Sequence, residues 1–93
     1  MMILTPPQCR AARAWLNISQ DELAETSKVA TRTIALFEME GRVPRDRTLE
    51  DIRRALEALG MGFLFDGARA AGITANELAR PILRPRKKRG QTE

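Results

Sequence analysis

The sequence predicts an all-α fold, a compact helical domain carrying a short C-terminal extension. Three observations lead there. Helix-start signals recur along the first half of the chain, apolar residues follow them at three- and four-residue spacing, and Asn, Gly or Pro punctuates the runs. The first helix is expected from about Pro6 to Leu16. Thr5 stands at its N-cap, with Pro6 at the first helical position and Gln8 at the third. Cys9, Ala12 and Leu16 recur on one face and should point to the core, with Trp15 beside them. Asn17 ends this helix, because asparagine tolerates a left-handed backbone.

A second helix is expected over about Gln20–Ser27. Ser19 and Glu22 form a capping box at its start, each side chain satisfying a free backbone N–H of the other residue. Leu23 and Ala24 face inward. Ser27-Lys28-Val29 makes a tight turn, and a third helix follows over about Thr31–Met39 with Ile34 and Phe37 one turn apart on its inner face. Gly41 and Pro44 mark residues 41–47 as a loop, made basic by Arg42, Arg45 and Arg47. Thr48, with Asp51 three residues on, opens a fourth helix. Leu49, Ile52, Ala55, Leu56 and Leu59 form its apolar stripe, Gly60 closes it, and Arg53 and Arg54 lie outside.

Beyond Gly60 the pattern loosens. Phe63 and Phe65 alternate with Gly62 and Leu64, which fits either a short strand or aromatics folded back onto the core. Thr74 with Glu77 is a further capping box and predicts a short helix ending before Pro81. From Arg84 the composition predicts a disordered tail. The chain therefore divides into a helical domain over 1–61, an extension over 62–83 that covers the core or forms a dimer contact, and a basic tail over 84–93.

Composition narrows the function. With 93 residues and 43% apolar content the chain suits one small domain, and no apolar run nears the ~20 residues a bilayer demands. The N-terminus has no basic region followed by an apolar stretch, so no export peptide is read there. A single cysteine makes no internal disulfide and fits a reducing cytoplasm. The formal charge of +4 is unevenly placed: residues 80–89 hold six basic residues and no acid, while the rest holds ten basic against twelve acidic. Any field felt by a polyanion must then come from local clusters of arginine. With no histidine and one cysteine there is no imidazole base, zinc set or Cys/His pair, and Gly60-Met61-Gly62 lacks the surroundings of a phosphate loop. No enzyme, metal or cofactor is expected.

Two helices joined across a three-residue turn form a helix-turn-helix unit, which projects its second helix into the major groove of DNA. The run from about Cys9 to Met61 resembles the Cro/C1-type (XRE) helix-turn-helix family. The resemblance rests on Arg13, the Ile18-Ser19-Gln20-Asp21-Glu22-Leu23-Ala24 run, Val29, Thr33-Ile34, Phe37-Glu38 and Ala58-Leu59-Gly60. It implies a compact bundle of four or five helices that binds a palindromic operator in double-stranded DNA as a homodimer. The sequence departs from the family in four places. Lys28 stands where glycine usually makes the turn, Ala30 takes the N-cap usually held by Ser or Thr, the glycine after the third helix comes one residue late, and Leu36 replaces a polar residue.

With Ile34 and Phe37 turned inward, Thr31, Arg32, Ala35 and Leu36 form the outer face of the third helix. Arg32 is the leading base reader, since a guanidinium donates two hydrogen bonds to guanine O6 and N7; its alternative is a solvated or phosphate-bound arginine. Thr31 serves a base or a phosphate. Ala35 and Leu36 offer only apolar contact to thymine methyl groups, and Leu36 equally suits packing against the fourth-helix region or a second subunit. The resemblance places Gln20 against the phosphate backbone, and Thr33 similarly. Arg42, Arg45 and Arg47 are expected to flank the groove and fix register on phosphates without reading sequence; their alternative is a solvated basic loop. Arg13 and Glu38 resemble the family's ion pair between the first and third helices. Overall the sequence predicts a cytoplasmic transcriptional regulator, a repressor by expectation. The alternatives are an antitoxin that represses its own operon while its C-terminal part masks a toxin, or a helical protein-interaction module without DNA binding.

Overall fold

The computed structural model describes residues 3–84, in which four helices are followed by a β-hairpin: α1 (Pro6–Leu16), α2 (Gln20–Ser27), α3 (Thr31–Glu40), α4 (Asp46–Ala58), β1 (Met61–Asp66) and β2 (Arg69–Ala75). Helices α1 and α2 start at their capping boxes. Ser19 Oγ accepts from Glu22 N at 3.0 Å while Glu22 Oε1 accepts from Ser19 N at 2.8 Å. Asn17 ends α1 at φ 57° and Lys28 ends α2 at φ 64°, both left-handed. Gly41 closes α3 at φ 70°, one residue past its expected end.

The expectation of an all-α bundle of four or five helices is wrong on the C-terminal side. No fifth helix forms among the described residues; β1 and β2 pair antiparallel instead, with Phe63 opposite Ile73 and Asp66 opposite Arg69. The helix predicted from Thr74 and Glu77 is absent because Thr74 lies in β2, across from Gly62. The Asn76 side chain then accepts from Leu78 N at 2.7 Å, a local turn that competes with helix. A segment this short forms an isolated helix only marginally, whereas a strand pair satisfies its backbone at once. Helix α4 also begins earlier than expected, at Asp46 and not near Thr48, two residues after Pro44. Asp46 sits favourably in its first turn against the helix dipole.

Cys9, Leu23, Ile34, Phe37, Ile52 and Leu56 are fully buried and join the four helices in one core. The hairpin closes that core at one end: Met61 and Ala79 are buried in it, and Phe63 and Ile73 pack against it. The extension is thus a core cover. Trp15, expected beside the core, is instead 51% exposed and donates through Nε1 to Ala79 O at 2.9 Å. Gly60 turns the chain from α4 into β1 at φ 100°, and a Cβ there would stand 2.4 Å from Ala79 N, so only glycine fits.

Candidate nucleic-acid interface

Helix α3 buries Ile34 and Phe37 completely, which fixes the rest of its faces. Arg32 is exposed near its N-terminus, while Thr31, Thr33, Ala35 and Leu36 are half-buried. Among the described residues Arg32 takes part in no ion pair. Ala30 caps α3 with its backbone alone, accepting from Thr33 N and Ile34 N at 3.0 and 3.2 Å. No side chain therefore covers the first-turn N–H groups, and that end of the helix offers donors and a partial positive charge outward.

The arginines after α3 divide. Arg42 and Arg45 are exposed on the connecting segment, Arg45 as the N-cap of α4. Arg47, expected on the loop, belongs to the first turn of α4. All three are exposed, with Lys28 exposed at the turn before α3. Arg53 and Arg54, by contrast, pair with Glu57 and Glu50 one helical turn away.

A buried carboxylate organises the interior behind this face. Glu38 has no exposed side-chain surface and accepts from Arg13 Nε at 2.8 Å and Nη2 at 2.6 Å, from Gln20 Nε2 at 3.0 Å and from Cys9 Sγ at 3.0 Å. Burial pushes its carboxyl up, but the hydrogen bonds from Arg13, Gln20 and Cys9 outweigh that and hold it below the ordinary value. Burial and the Glu38 carboxylate together push the Cys9 thiol well above its usual range, so it behaves as a packed, un-ionised group. Arg13 is committed to the interior, since its remaining Nη1 donates to Ile18 O at 3.0 Å. Gln20, assigned to the phosphate edge by the family resemblance, spends one amide N–H on Glu38.

Cys9 and Arg10 were missed as partners of Glu38; Arg10 donates to the Glu38 backbone carbonyl. Their spacing to Arg13, four and three residues, is the signal that they share its helix face. Arg84, assigned to a disordered tail, instead donates to both Glu22 oxygens at 2.7 and 2.8 Å and to Asn17 O at 3.1 Å. The hydrogen bond from Arg84 holds the Glu22 carboxyl below its ordinary value, helped by the Ser19 backbone. The rest of the expected tail lies outside the described residues. No helix among the described residues is long and apolar enough to cross a membrane. No protein-family model matches the chain, and no curated protein sequence matches it.

Proposed function

We propose that the chain is a sequence-specific DNA-binding transcriptional regulator of the cytoplasm. It reads an inverted repeat in double-stranded DNA as a homodimer and acts as a repressor. The observation that carries this reading is the outward face of α3: an exposed Arg32 with no ion pair among the described residues, on a helix whose N-terminus has no side-chain cap, with exposed Lys28 before it in sequence and exposed Arg42, Arg45 and Arg47 after it. The one acid that faces inward from this helix, Glu38, is neutralised by Arg13 and adds no repulsion toward a polyanion. In this reading Arg32 bonds guanine, Thr31 a base or phosphate, and Ala35 and Leu36 meet thymine methyls, while Gln20, Thr33 and the three arginines fix register on phosphates.

Dimerisation would place two copies of α3 about 34 Å apart, one DNA turn. Exposed Leu64, Leu78 and Leu83 in the C-terminal segment support a protein contact there. The same apolar surface favours a second reading, an antitoxin that docks a protein partner through this segment.

The test is selection of bound duplexes from a random pool, followed by titration of the selected site with the Arg32→Ala chain. Loss of about 1–3 kcal/mol of specific binding, with relaxed preference at one base position, is expected. Unchanged affinity and preference would reject the reading and leave a protein-interaction module.

A further inference from the structure

A sheet of two strands has two open edges. Asn76 N donates to Gly60 O at 2.9 Å, and the antiparallel alternation makes Gly62 with Thr74 the next hydrogen-bonded pair. Met61, Phe63, Ile73 and Ala75 fall between such pairs, so their main-chain N–H and C=O groups point away from the hairpin. Among the described residues, the side-chain bonds to the two strands go to Leu64 O and Gly72 O, and none reaches those outward groups. The edges differ in access. β1 leaves α4 through Gly60 and buries Met61, whereas Arg69, Ala71, Thr74 and Ala75 of β2 are exposed. A groove of about 330 Å³ separates α1 from β2, lined by Pro7, Ala11, Ala70 and Ile73 among others but by no residue of β1, so it opens on the β2 side.

We propose that β2 pairs antiparallel with β2 of a second copy about a two-fold axis at Ile73, joining two hairpins into one four-stranded sheet. The inference rests on the homodimer in the reading above and names its interface. Strand edges are ordinarily blunted by charge, proline or a bulge. Residues 70–75 carry neither charge nor proline. The register shift lies at Leu64/Phe65, towards the turn, and leaves Ile73–Ala75 regularly paired. A two-fold interface uses the same patch twice, so the strand must be complementary to itself. Ile73 suits the centre because both its main-chain groups face outward and can exchange two bonds with their own copies. That register sets Thr74 against Gly72, Ala75 against Ala71 and Arg69 against Glu77. The middle is thus small and uncharged, and each end joins a cation to an anion. Arg69 and Glu77 are exposed and form no ion pair among the described residues of one chain. An extended peptide of an unrelated protein makes the main-chain bonds but supplies the two charge pairs only by coincidence.

Sedimentation equilibrium of the full-length chain without DNA reads the association, and amide hydrogen exchange reads its place. The chain should form dimers, and the Ile73 and Ala75 amides, which have no acceptor within one chain, should exchange more slowly as protein concentration rises. Arg69→Glu sets two acids against each other at both ends of the paired strands and should weaken the dimer about tenfold. Glu77→Arg should do the same with two cations. The chain carrying both changes restores the opposite charges and should return to the parent affinity, while thermal melts check that each variant is folded.

Three results would overturn the edge pairing: a monomer at every concentration, a dimer whose Ile73 and Ala75 amides exchange as fast as in the monomer, or a double variant no tighter than either single one. The base-reading proposal fails separately. Should Arg32→Ala leave sequence preference intact while the dimer and its amide protection persist, base reading falls and the edge stands. Should the chain stay monomeric yet lose its preference on Arg32→Ala, the edge falls and base reading stands.

Discussion

Gln20 donates its side-chain amide to Glu38 across 3.0 Å, tying the first residue of α2 to the buried side of α3. The same carboxylate takes two bonds from Arg13 and one from the Cys9 thiol, so α1, α2 and α3 meet on one side chain. A charge with no exposed surface persists in a core only when paired and saturated with donors, and Glu38 is both. The cluster sets the angle at which α3 leaves the body and aims Gln20, whose carbonyl and second N–H remain for an outside partner.

Glu38→Ala should therefore be among the most damaging single changes. It strands a largely buried Arg13 guanidinium and removes the acceptor for Gln20 and Cys9. Breaking a buried pair this way costs about 3–5 kcal/mol, a large part of the total stability of a small domain. Glu38→Gln keeps the shape and should cost less. Urea unfolding at neutral pH reads both, and a loss below about 1 kcal/mol for the alanine variant would contradict a hub role.

The same cluster makes stability depend on pH. Burial raises the Glu38 carboxyl, yet the bonds from Arg13, Gln20 and Cys9 win, so its folded value lies below its unfolded one. Its stabilising contribution is then fully present above the unfolded carboxylate value, about 4.3, and is lost as pH falls through the lower folded value. Unfolding free energies measured through the acid range should fall with a steeper slope for the parent than for Glu38→Gln. Superimposable slopes would show that Glu38 is not the group responsible.

The helical half of the chain was legible because its signals are local. Thr5 with Gln8 and Ser19 with Glu22 sit three residues apart, and Asn17 and Lys28 take the left-handed conformation their positions require. The hairpin was not read, although Gly67-Ala68 joins the two strands as a two-residue turn with glycine in its first position, a short-range hairpin signal. Gly67 does take positive φ in that two-residue turn. The Thr74/Glu77 spacing misled because a capping box needs a following apolar face to bury, and Leu78 and Pro81 remain exposed. Arg84–Glu22 was illegible in principle: 62 residues separate them, and no local pattern announces a contact of that range. In the candidate site the exposure of Arg32 followed from the burial of Ile34 and Phe37, but the engagement of Gln20 required the third dimension.

Gln8 is the latch of the hairpin. Its side chain is buried; Oε1 accepts from Thr5 N, and Nε2 donates to Leu64 O at 3.1 Å and Gly72 O at 3.0 Å. Those two carbonyls face each other where the strand register shifts, just before Phe65. Gln8→Ala should leave them short of a donor and cost about 1–3 kcal/mol. Hydrogen exchange should locate the effect, with β1 and β2 amides losing protection while α2 and α3 keep theirs. Uniform loss across all elements would mean that the hairpin and the helices open as one unit.

Lys28 and Asn17 share a left-handed backbone, at φ 64° and 57°, yet glycine should act on them with opposite signs. Lys28 is exposed at the turn before α3, and its backbone N–H already bonds Ala24 O at 2.9 Å, so its side chain contributes little to offset the strain of its φ. That strain is roughly 1–2 kcal/mol for a residue with a Cβ, whereas glycine adds about 0.4–1 kcal/mol of unfolded-state entropy, so Lys28→Gly should stabilise slightly. Asn17 tolerates the conformation and its Nδ2 holds Ile82, so Asn17→Gly should destabilise the domain and loosen the segment that leads to Arg84. Melting temperatures of the two variants decide the matter: a gain for Lys28→Gly and a loss for Asn17→Gly are expected. A loss at residue 28 would mean that the Lys28 side chain takes part in the fold of the turn.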